Sequence, residues 1–338
     1  MTGQYASMTP FERNMAVGHG MTSLHITRRI VAGLESMFRR AGTSTQGNIY
    51  AIVGPTHVGK STAQKIFMIQ KAQQLGGFVE NVKPGENDFP EVADVSYVTV
   101  QDANGRLKHP VMRIEIHENP TVKALGTHVA RALARDEDPP RFSNLNEMTA
   151  FFTRQLRGKG VKLVIFDDVQ EIGRVTGAAR NQAVVLFKAL CKTGHTEVAA
   201  AGIEGTLEVL SSDKQTADLT TKRHIFEPLP CPPWDDENAD VSQSAFVTFM
   251  REMKAHLPFD RESAIDERDI AEPMWHYSQG VIGVAKTLLQ EATDYAIHRN
   301  LPAIDRKVLR DVVTYEMDLA DHHNPFNDEV GGGGRRLS

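Results

Sequence analysis

The chain has 338 residues and a formal net charge of −5 at pH 7; 41% of its residues are hydrophobic and 24% are charged. That length allows two domains, or one large α/β domain with an appendage, and the composition is ordinary for a globular protein. No apolar run approaches the roughly 20 residues that span a bilayer, the amino terminus lacks a secretory signal, and two cysteines exclude a disulfide framework. We therefore expect a cytoplasmic protein without a membrane partner.

The first predicted helix covers residues 23–41. Its apolar side chains recur every four residues, at Ile26, Ile30, Leu34 and Phe38. Arg28 and Arg29 stand 11 residues before Arg39 and Arg40, so the two pairs project from a similar face about 16 Å apart. Two interpretations stay open. The arginines contact a DNA backbone, or they form the solvated side of a packing helix.

A phosphate-loop pattern follows this helix. Residues 54–61 read GPTHVGKS, which fits G-x-x-x-x-G-K-[ST], between an apolar run at 49–53 and a helix-compatible stretch at 61–74. Two glycines let the backbone curl so that its N–H groups point at phosphates. Lys60 can reach the β- and γ-phosphates and Ser61 can ligate Mg²⁺. The alternative, a turn that only packs, leaves Lys60 without a purpose. The expected nucleotide contacts are Gly54, Pro55, Thr56, His57, Val58, Gly59, Lys60 and Ser61.

The middle of the chain alternates strands with helices. Strands are predicted at 95–100 and 111–116, joined by a hairpin turn at Asp102–Gly105. Apolar strands are predicted at 49–53, 162–166 and 197–201. Helices are predicted at about 120–134, 145–157 and 176–193, with a charged loop at 135–141. Strands that are short and apolar throughout indicate an α/β fold with a parallel sheet covered by helices on both faces.

Two acids end the strand at 162–166. The carboxyl ends of parallel strands face the ligand crevice, so we expect Asp167 to hold Mg²⁺ and Asp168 to polarise the attacking water. The alternative is an exposed turn. Hydrolysis also needs positive charge on the γ-phosphate. Arg223 follows the last core strand and could enter the site of a neighbouring subunit as an arginine finger, or it is an ordinary surface arginine.

The character of the chain changes at residues 228–233, where four prolines end the sheet domain. Only helical patterns follow, at about 242–256, 264–277, 281–299 and 304–320. We therefore predict an amino-terminal arm with the basic helix (1–45) and a core (46–230) with its hairpin insertion (95–116). A small helical lid (231–320) and a disordered tail (321–338) complete the prediction.

These motifs, in this order, resemble the AAA+ ATPases of the TniB/TnsC transposition family, with MuB and IstB as more distant relatives. The resemblance runs from about residue 20 to 320. It rests on GPTHVGKST at 54–62, the strand before Asp167, the strand end at Gly202, the Arg223 segment, Trp234 and the turn at 278–283.

The resemblance implies an ATP-dependent regulator that assembles as rings or filaments on duplex DNA and grips the backbone without reading sequence. It would link a TniQ-like target selector, in some systems with a CRISPR effector, to a DDE transposase, and hydrolysis would disassemble the polymer. The resemblance adds Thr62 to the phosphate loop. It also places DNA contacts around Thr121 and Lys123, with Arg106 and Lys108 of the hairpin.

Three departures from the family pattern predict slow hydrolysis. The second acid is Asp168 where the family usually has Glu, which leaves Glu171 as an alternative catalytic acid. Ile203 is apolar where a polar sensor is expected. The turn at 280–283 has no arginine to act as a second sensor, and Lys286 is the nearest cation to it. A helicase-loader-type remodeller, a kinase that uses the same loop, and a nucleotide-gated scaffold with negligible hydrolysis stay open as alternatives.

Overall fold

The computed structural model describes residues 9, 25–82, 93–117, 121–134, 142–175, 177–192, 194–236, 239–315 and 324–327. The chain divides into two compact units. The first holds Ile26–Thr56 and Lys60–Phe226, and the second holds Glu227 onward together with His57–Gly59. The predicted charged loop at 135–141, nearly all of the predicted arm before residue 25, and the tail except 324–327 lie outside the described residues.

The first unit is built on one seven-stranded sheet. Its strands are β1 (Ile49–Val53), β2 (Phe78–Val82), β3 (Ala93–Gln101), β4 (Leu107–Ile116), β5 (Leu163–Asp167), β6 (Glu197–Gly202) and β7 (Lys222–Ile225). Their order in the sheet is β2-β3-β4-β5-β6-β1-β7. From β4 to β7 all neighbours are parallel, whereas β2 and β3 add an antiparallel edge. This arrangement confirms the predicted parallel sheet.

Helices pack around the sheet. They are α1 (His25–Arg40), α2 (Lys60–Gln74), α3 (Val122–Ala134), α4 (Leu145–Gly158), α5 (Gln170–Val175), α6 (Gly177–Cys191), α7 (Gly205–Ser211) and α8 (Lys214–Leu219). Every residue of β1, β5 and β6 is buried. Strands covered on both faces in this way must be apolar throughout, which is why their sequences lack alternation.

The basic helix α1 packs within this unit and is not part of a separate arm. Ile30, Leu34 and Met37 are fully buried. At Gly33 a Cβ atom would overlap the ring of Tyr50 on β1, so this glycine sets how closely α1 approaches the sheet. The arginines of α1 remain on its exposed side.

The predicted hairpin between β3 and β4 is present. Asp102 Oδ1 accepts hydrogen bonds from the backbone N–H of Asn104 and Arg106, both at 2.9 Å, and Gly105 has φ +76°. Sequence patterns did not predict β2 or β7. Both are short sheet-edge strands, and their exposed positions carry polar side chains as well as apolar ones.

The second unit is helical, as predicted for the region after the proline cluster. A 3₁₀ turn (Val241–Gln243) precedes α9 (Ala245–Lys254), α10 (Arg268–Ser278), α11 (Ile282–His298) and α12 (Arg306–Tyr315). Leu229 ties the start of this unit to the turn between α10 and α11. Its N–H donates to Gly280 O at 2.8 Å, and its carbonyl accepts from Trp275 Nε1 at 2.9 Å.

The short segment 324–327 corrects part of the expected disordered tail. Phe326 is fully buried, and Arg306 at the start of α12 donates from Nε to Phe326 O at 3.1 Å and from Nη2 to Asn327 O at 2.9 Å. A large aromatic ring gains enough from burial to hold this stretch of chain. None of the helices in the described ranges is long and apolar enough to cross a membrane.

Candidate nucleotide site

The phosphate loop connects β1 to α2. Gly54 N–H donates to Gly202 O on β6 at 3.1 Å, which anchors the start of the loop to the sheet. A Cβ atom on Gly54 would lie 2.7 Å from Phe226 O, so only glycine fits at this approach. Gly59 has φ +87°, in the left-handed region that glycine adopts without strain. The loop thus curls as its sequence predicts, and the free N–H groups of the first turn of α2 follow it.

Lys60 folds back over this loop. Its side chain is buried, and Nζ donates to Gly54 O at 2.8 Å and to Pro55 O at 2.7 Å. Burial lowers the pKa of Lys60 from its ordinary value, while the charges of Asp167 and Asp168 act in the opposite direction. Four residues after Lys60, Gln64 accepts a hydrogen bond from Arg113, which also donates to Asp167, so the helix after the loop is linked to the end of β5.

Asp167 is fully buried at the end of β5 and forms an ion pair that the sequence patterns did not predict. Its Oδ2 accepts from Arg113 Nη2 at 2.7 Å. Arg113, on β4, also donates to Glu115 Oε2 at 2.7 Å and to Gln64 Oε1 at 2.9 Å. Burial alone would lower the pKa of Arg113, but Asp167 and Glu115 raise it overall, so the guanidinium is charged.

Asp168 has an unusual backbone, with φ +57°. Among residues other than glycine, Asp and Asn adopt this left-handed conformation most readily. The conformation gives a physical reason for the shorter acid at a position where Glu was expected. Burial raises the pKa of Asp168 above its ordinary value, and the charges of Asp167 and Glu115 add to the rise, whereas the hydrogen bond from Gln170 lowers it.

Gln170 supplies the polar connection that Ile203 cannot. Its Nε2 donates to Asp168 Oδ1 at 3.0 Å, and its Oε1 accepts from the Ile203 N–H at 3.1 Å and from Thr206 Oγ1 at 3.3 Å. A Cβ atom on Gly202 would overlap this Oε1. The amide therefore bridges the acid at the end of β5 to the end of β6.

The two other candidates, Glu171 and Lys286, lie in different units. Glu171 is buried in the first turn of α5, where Gln170 Nε2 lies 3.5 Å from Glu171 Oε1. Lys286 lies on α11 in the second unit, and burial lowers its pKa. Within that unit, Gly283 at the start of α11 lies against the backbone of His57, where a Cβ atom would overlap the His57 carbonyl.

The residues present fit a nucleotide with Mg²⁺. Ser61 offers a hydroxyl and Asp167 a carboxylate, the hard oxygen ligands that Mg²⁺ takes alongside phosphates. Lys60 Nζ is held over the loop carbonyls. In the second turn of α2, the buried Gln64 Nε2 has no hydrogen-bond partner among the described residues, so the helix that follows the loop retains an unused donor.

The structure does not bring Arg223 to the acids of its own chain. Arg223 is exposed on β7, paired opposite Ala51. In the sheet β7 stands three strands away from β5, which corresponds to about 14 Å at the usual strand spacing. An arginine so placed is free to reach a second copy of the chain, and the finger role stays a prediction.

The eight DNA-contact candidates lie on or beside different elements of the first unit. Arg28, Arg29, Arg39 and Arg40 are exposed on α1. Arg106 and Lys108 lie at the start of β4, and Lys108 Nζ donates to Gly158 O at 2.9 Å. Thr121 and Lys123 follow the far end of that strand. Ten residues of β4 separate these two groups by roughly 30 Å. Thr121 Oγ1 accepts from Ala124 N at 3.1 Å, so it also caps α3.

The sequence contained a signal for part of what was missed. Arg113 and Glu115 are the charged residues in the otherwise apolar VMRIEI at 111–116, and an arginine there must be paired if the strand lies inside a sheet. Gln170 had no comparable signal, since a glutamine after a strand end is ordinary. Its role depends on the approach of β6, 33 residues further along the chain.

Residues 91–236 match the family model described as bacterial TniB protein. This segment includes β3 to β7 and therefore Arg113, Asp167, Asp168, Gln170 and Arg223, while the phosphate loop precedes it. The match confirms the resemblance found in the sequence. No curated protein matches the chain.

Solved structures are similar to the chain, and the first of them supports the fold. Cdc6p from Pyrobaculum aerophilum has a TM-score of 0.53 at 13% identity, over 85% of this chain and 66% of that one. The ORC1 protein of Aeropyrum pernix in complex with DNA gives 0.49 at 13% identity, over 88% and 68%. A Walker-type ATPase of Pyrococcus abyssi gives 0.42 at 14% identity, over 86% and 73%. The fold is that of AAA+ P-loop ATPases, as predicted.

Proposed function

We propose that the chain is a TniB-type AAA+ ATPase that acts as an ATP-dependent regulator of DNA transposition; the TniB match over residues 91–236 and the fold support this proposal. It binds ATP with Mg²⁺, oligomerises on duplex DNA without sequence preference, and hydrolyses ATP slowly as a disassembly switch. Its partners are a DDE transposase and a TniQ-like target selector, in some systems with a CRISPR effector. The observation that carries the proposal is a curled phosphate loop with Lys60 Nζ held over its carbonyls, followed by a helix that hydrogen bonds link through Gln64 and Arg113 to the buried Asp167.

The side chains divide the chemistry between them. Lys60 neutralises phosphate charge, and Ser61 and Asp167 would hold Mg²⁺, which supplies further charge stabilisation to the phosphates. Asp168 orients and polarises the attacking water, and Gln170 holds its carboxylate. Arg223 from a second copy completes the positive charge at the γ-phosphate, so the site is finished only in an oligomer.

Slow turnover follows from the state of the acids. Asp168 has a raised pKa and a left-handed backbone, and Asp167 is already paired with Arg113. A site in which the metal-binding acid is paired with Arg113 must rearrange that pair before it binds Mg²⁺. The same observation favours the second candidate function, a nucleotide-gated DNA scaffold with negligible hydrolysis. Steady-state phosphate release in the presence of DNA separates the two.

The assembly is tested by electron microscopy of the protein with duplex DNA. We expect rings or filaments with ATP or a non-hydrolysable analogue and none without nucleotide. The comparison variant is Lys60→Ala, which lacks the phosphate-binding cation and should form no rings or filaments with ATP. Monomers under all these conditions would refute the proposal. Co-purification with a replicative helicase would instead favour a helicase loader, and a small-molecule phosphate acceptor would favour a kinase.

Two pairs of substitutions test which of these two groups of residues binds DNA. Arg106→Ala with Lys108→Ala removes the hairpin cations, and Thr121→Ala with Lys123→Ala removes the candidates beyond β4. Removing one cation that neutralises a DNA phosphate lowers the slope of log affinity against log salt by about 0.9. Because the two sets lie at opposite ends of β4, we expect one pair of substitutions to change the slope and the other to leave it intact.

A further inference from the structure

Arg113 is the largest fully buried side chain of the described residues, although it is charged. Its guanidinium contacts three elements at once: α2 through Gln64, β4 through Glu115, and β5 through Asp167. All three of its nitrogens donate, at 2.7–2.9 Å. A planar fork with this many partners has one orientation, so the charge stands at a defined place beside Asp167.

Packing alone does not explain an arginine at this position. The adjacent residues Met112 and Ile114 are apolar and buried, and a buried ion pair is often no more stable than a well-packed hydrophobic pair. Asp167, in contrast, is fully buried, and a buried carboxylate is costly unless a cation compensates it. The pair is therefore better explained by what Asp167 has to do than by what the core needs.

We propose that Arg113 is a positioning residue that takes the place of a metal ion at Asp167, so that Mg²⁺ binds this acid only together with nucleotide. The guanidinium neutralises Asp167 in the nucleotide-free protein and holds its carboxylate in position. Glu115 is the second anchor of the fork, and its side chain is 31% exposed. Arg113 therefore keeps a carboxylate partner when Asp167 engages a metal.

The charges around the site give the direction of the effect. Arg113 contacts the carboxylates of Glu115 and Asp167, and Asp168 follows Asp167 at the end of β5. Mg²⁺ and Arg113 draw on the same carboxylate and repel each other, so Arg113 weakens metal binding to the protein alone. Bound phosphates add negative charge and reverse that balance. The inference rests on the proposed function in needing a nucleotide at the loop.

The test uses the full chain with Arg113→Gln and Glu115→Gln. A fluorescent ATP analogue is titrated with Mg²⁺ to find the midpoint metal concentration, and melting temperatures are measured with Mg²⁺ alone. Without Arg113 we expect the midpoint to fall by at least about tenfold and Mg²⁺ alone to raise the melting temperature. In Glu115→Gln, Asp167 is the remaining carboxylate partner of Arg113, so we expect the midpoint Mg²⁺ concentration to rise. The wild-type melting temperature stays unchanged with Mg²⁺ alone.

Opposite shifts in two variants cannot come from general destabilisation. Asp94→Asn is the matched control, since it removes an exposed carboxylate opposite Glu115 in the sheet without an Arg113 contact. Arg113→Lys keeps the charge and should restore the insensitivity to Mg²⁺ alone; it and Glu115→Gln carry the test if Arg113→Gln does not fold. Unchanged midpoints, or shifts of the same sign, would overturn the inference. A wild type that binds no nucleotide would instead refute the proposed function.

Discussion

The amide of Gln170 is the most informative group to remove. Gln170→Ala deletes the hydrogen bond to Asp168 Oδ1 and the acceptor for the Ile203 N–H. A hydrogen bond to a charged group contributes about 1.5–3 kcal/mol, and an unsatisfied buried donor costs about 1–3 kcal/mol. Because Asp168 and Ile203 are only partly buried, we expect about 2–4 kcal/mol of destabilisation, which lowers the melting temperature by roughly 5–15 °C.

The turnover of Gln170→Ala should fall by more than its loss of folding stability explains. Without its amide partner the Asp168 carboxylate can move by about 1 Å, and a misplacement of that size costs on the order of 100-fold in rate. The hydrogen bond from Gln170 also lowers the pKa of Asp168. Its removal therefore moves the acid limb of the pH–rate profile to higher pH. The assay is DNA-stimulated phosphate release, measured across pH and well below the melting temperature of the variant.

Two further variants make this experiment specific. Gly202→Ala leaves Gln170 in the chain but places a methyl group where Oε1 lies, so it should reproduce the shifted pH profile. Gln73→Ala, at an exposed position on α2, should change neither stability nor rate by more than a small amount. A Gln170→Ala enzyme with wild-type turnover and an unchanged pH profile would refute the bridging role.

Three other predictions concern Asp168 and the proposed arginine finger. Wild-type turnover should decline with falling pH at a higher pH than the ordinary aspartate value of 3.8 implies, because burial raises the pKa of Asp168; Asp168→Asn should abolish that limb. The same Asp168→Asn change should raise the melting temperature at neutral pH, since an acid whose folded pKa is raised destabilises the folded state when ionised, and Asn also accepts the left-handed backbone. Arg223→Ala and Lys60→Ala should each be inactive alone, but their mixture should regain part of the activity, because some interfaces then pair an intact loop with an intact finger. Absence of any recovery in mixed oligomers would exclude the trans-acting role.

The sheet was predictable because its central strands are buried on both faces. That burial requires unbroken apolar runs, and such runs are visible at 49–53, 162–166 and 197–201 without knowledge of their neighbours. The phosphate loop was predictable for a related reason. Its glycines and Lys60 interact with the backbone of the loop itself, so the pattern is local. Asp167 and Asp168 follow directly from the end of such a strand.

The missed features depend on contacts between distant parts of the chain. Arg113 and Asp167 are 54 residues apart, and Gln170 reaches across to Ile203. The edge strands β2 and β7 acquire their identity from hydrogen bonds to a neighbour and have little apolar pattern of their own. Whether Arg223 acts as an arginine finger could not be predicted either, because the site it would enter belongs to a second copy of the chain.

The place of β1 in the sheet has a consequence for the synthesis of the protein. β1 is made early, yet its two neighbours are β6 and β7, and Tyr50 finds its partner His224 only 174 residues later. At typical ribosomal rates of 5–20 residues per second that interval is on the order of ten to thirty seconds. During it the phosphate loop has no sheet to anchor it and the apolar strand IYAIV is unpaired. A nascent chain released before about residue 226 should therefore bind no nucleotide and depend on chaperones for its solubility.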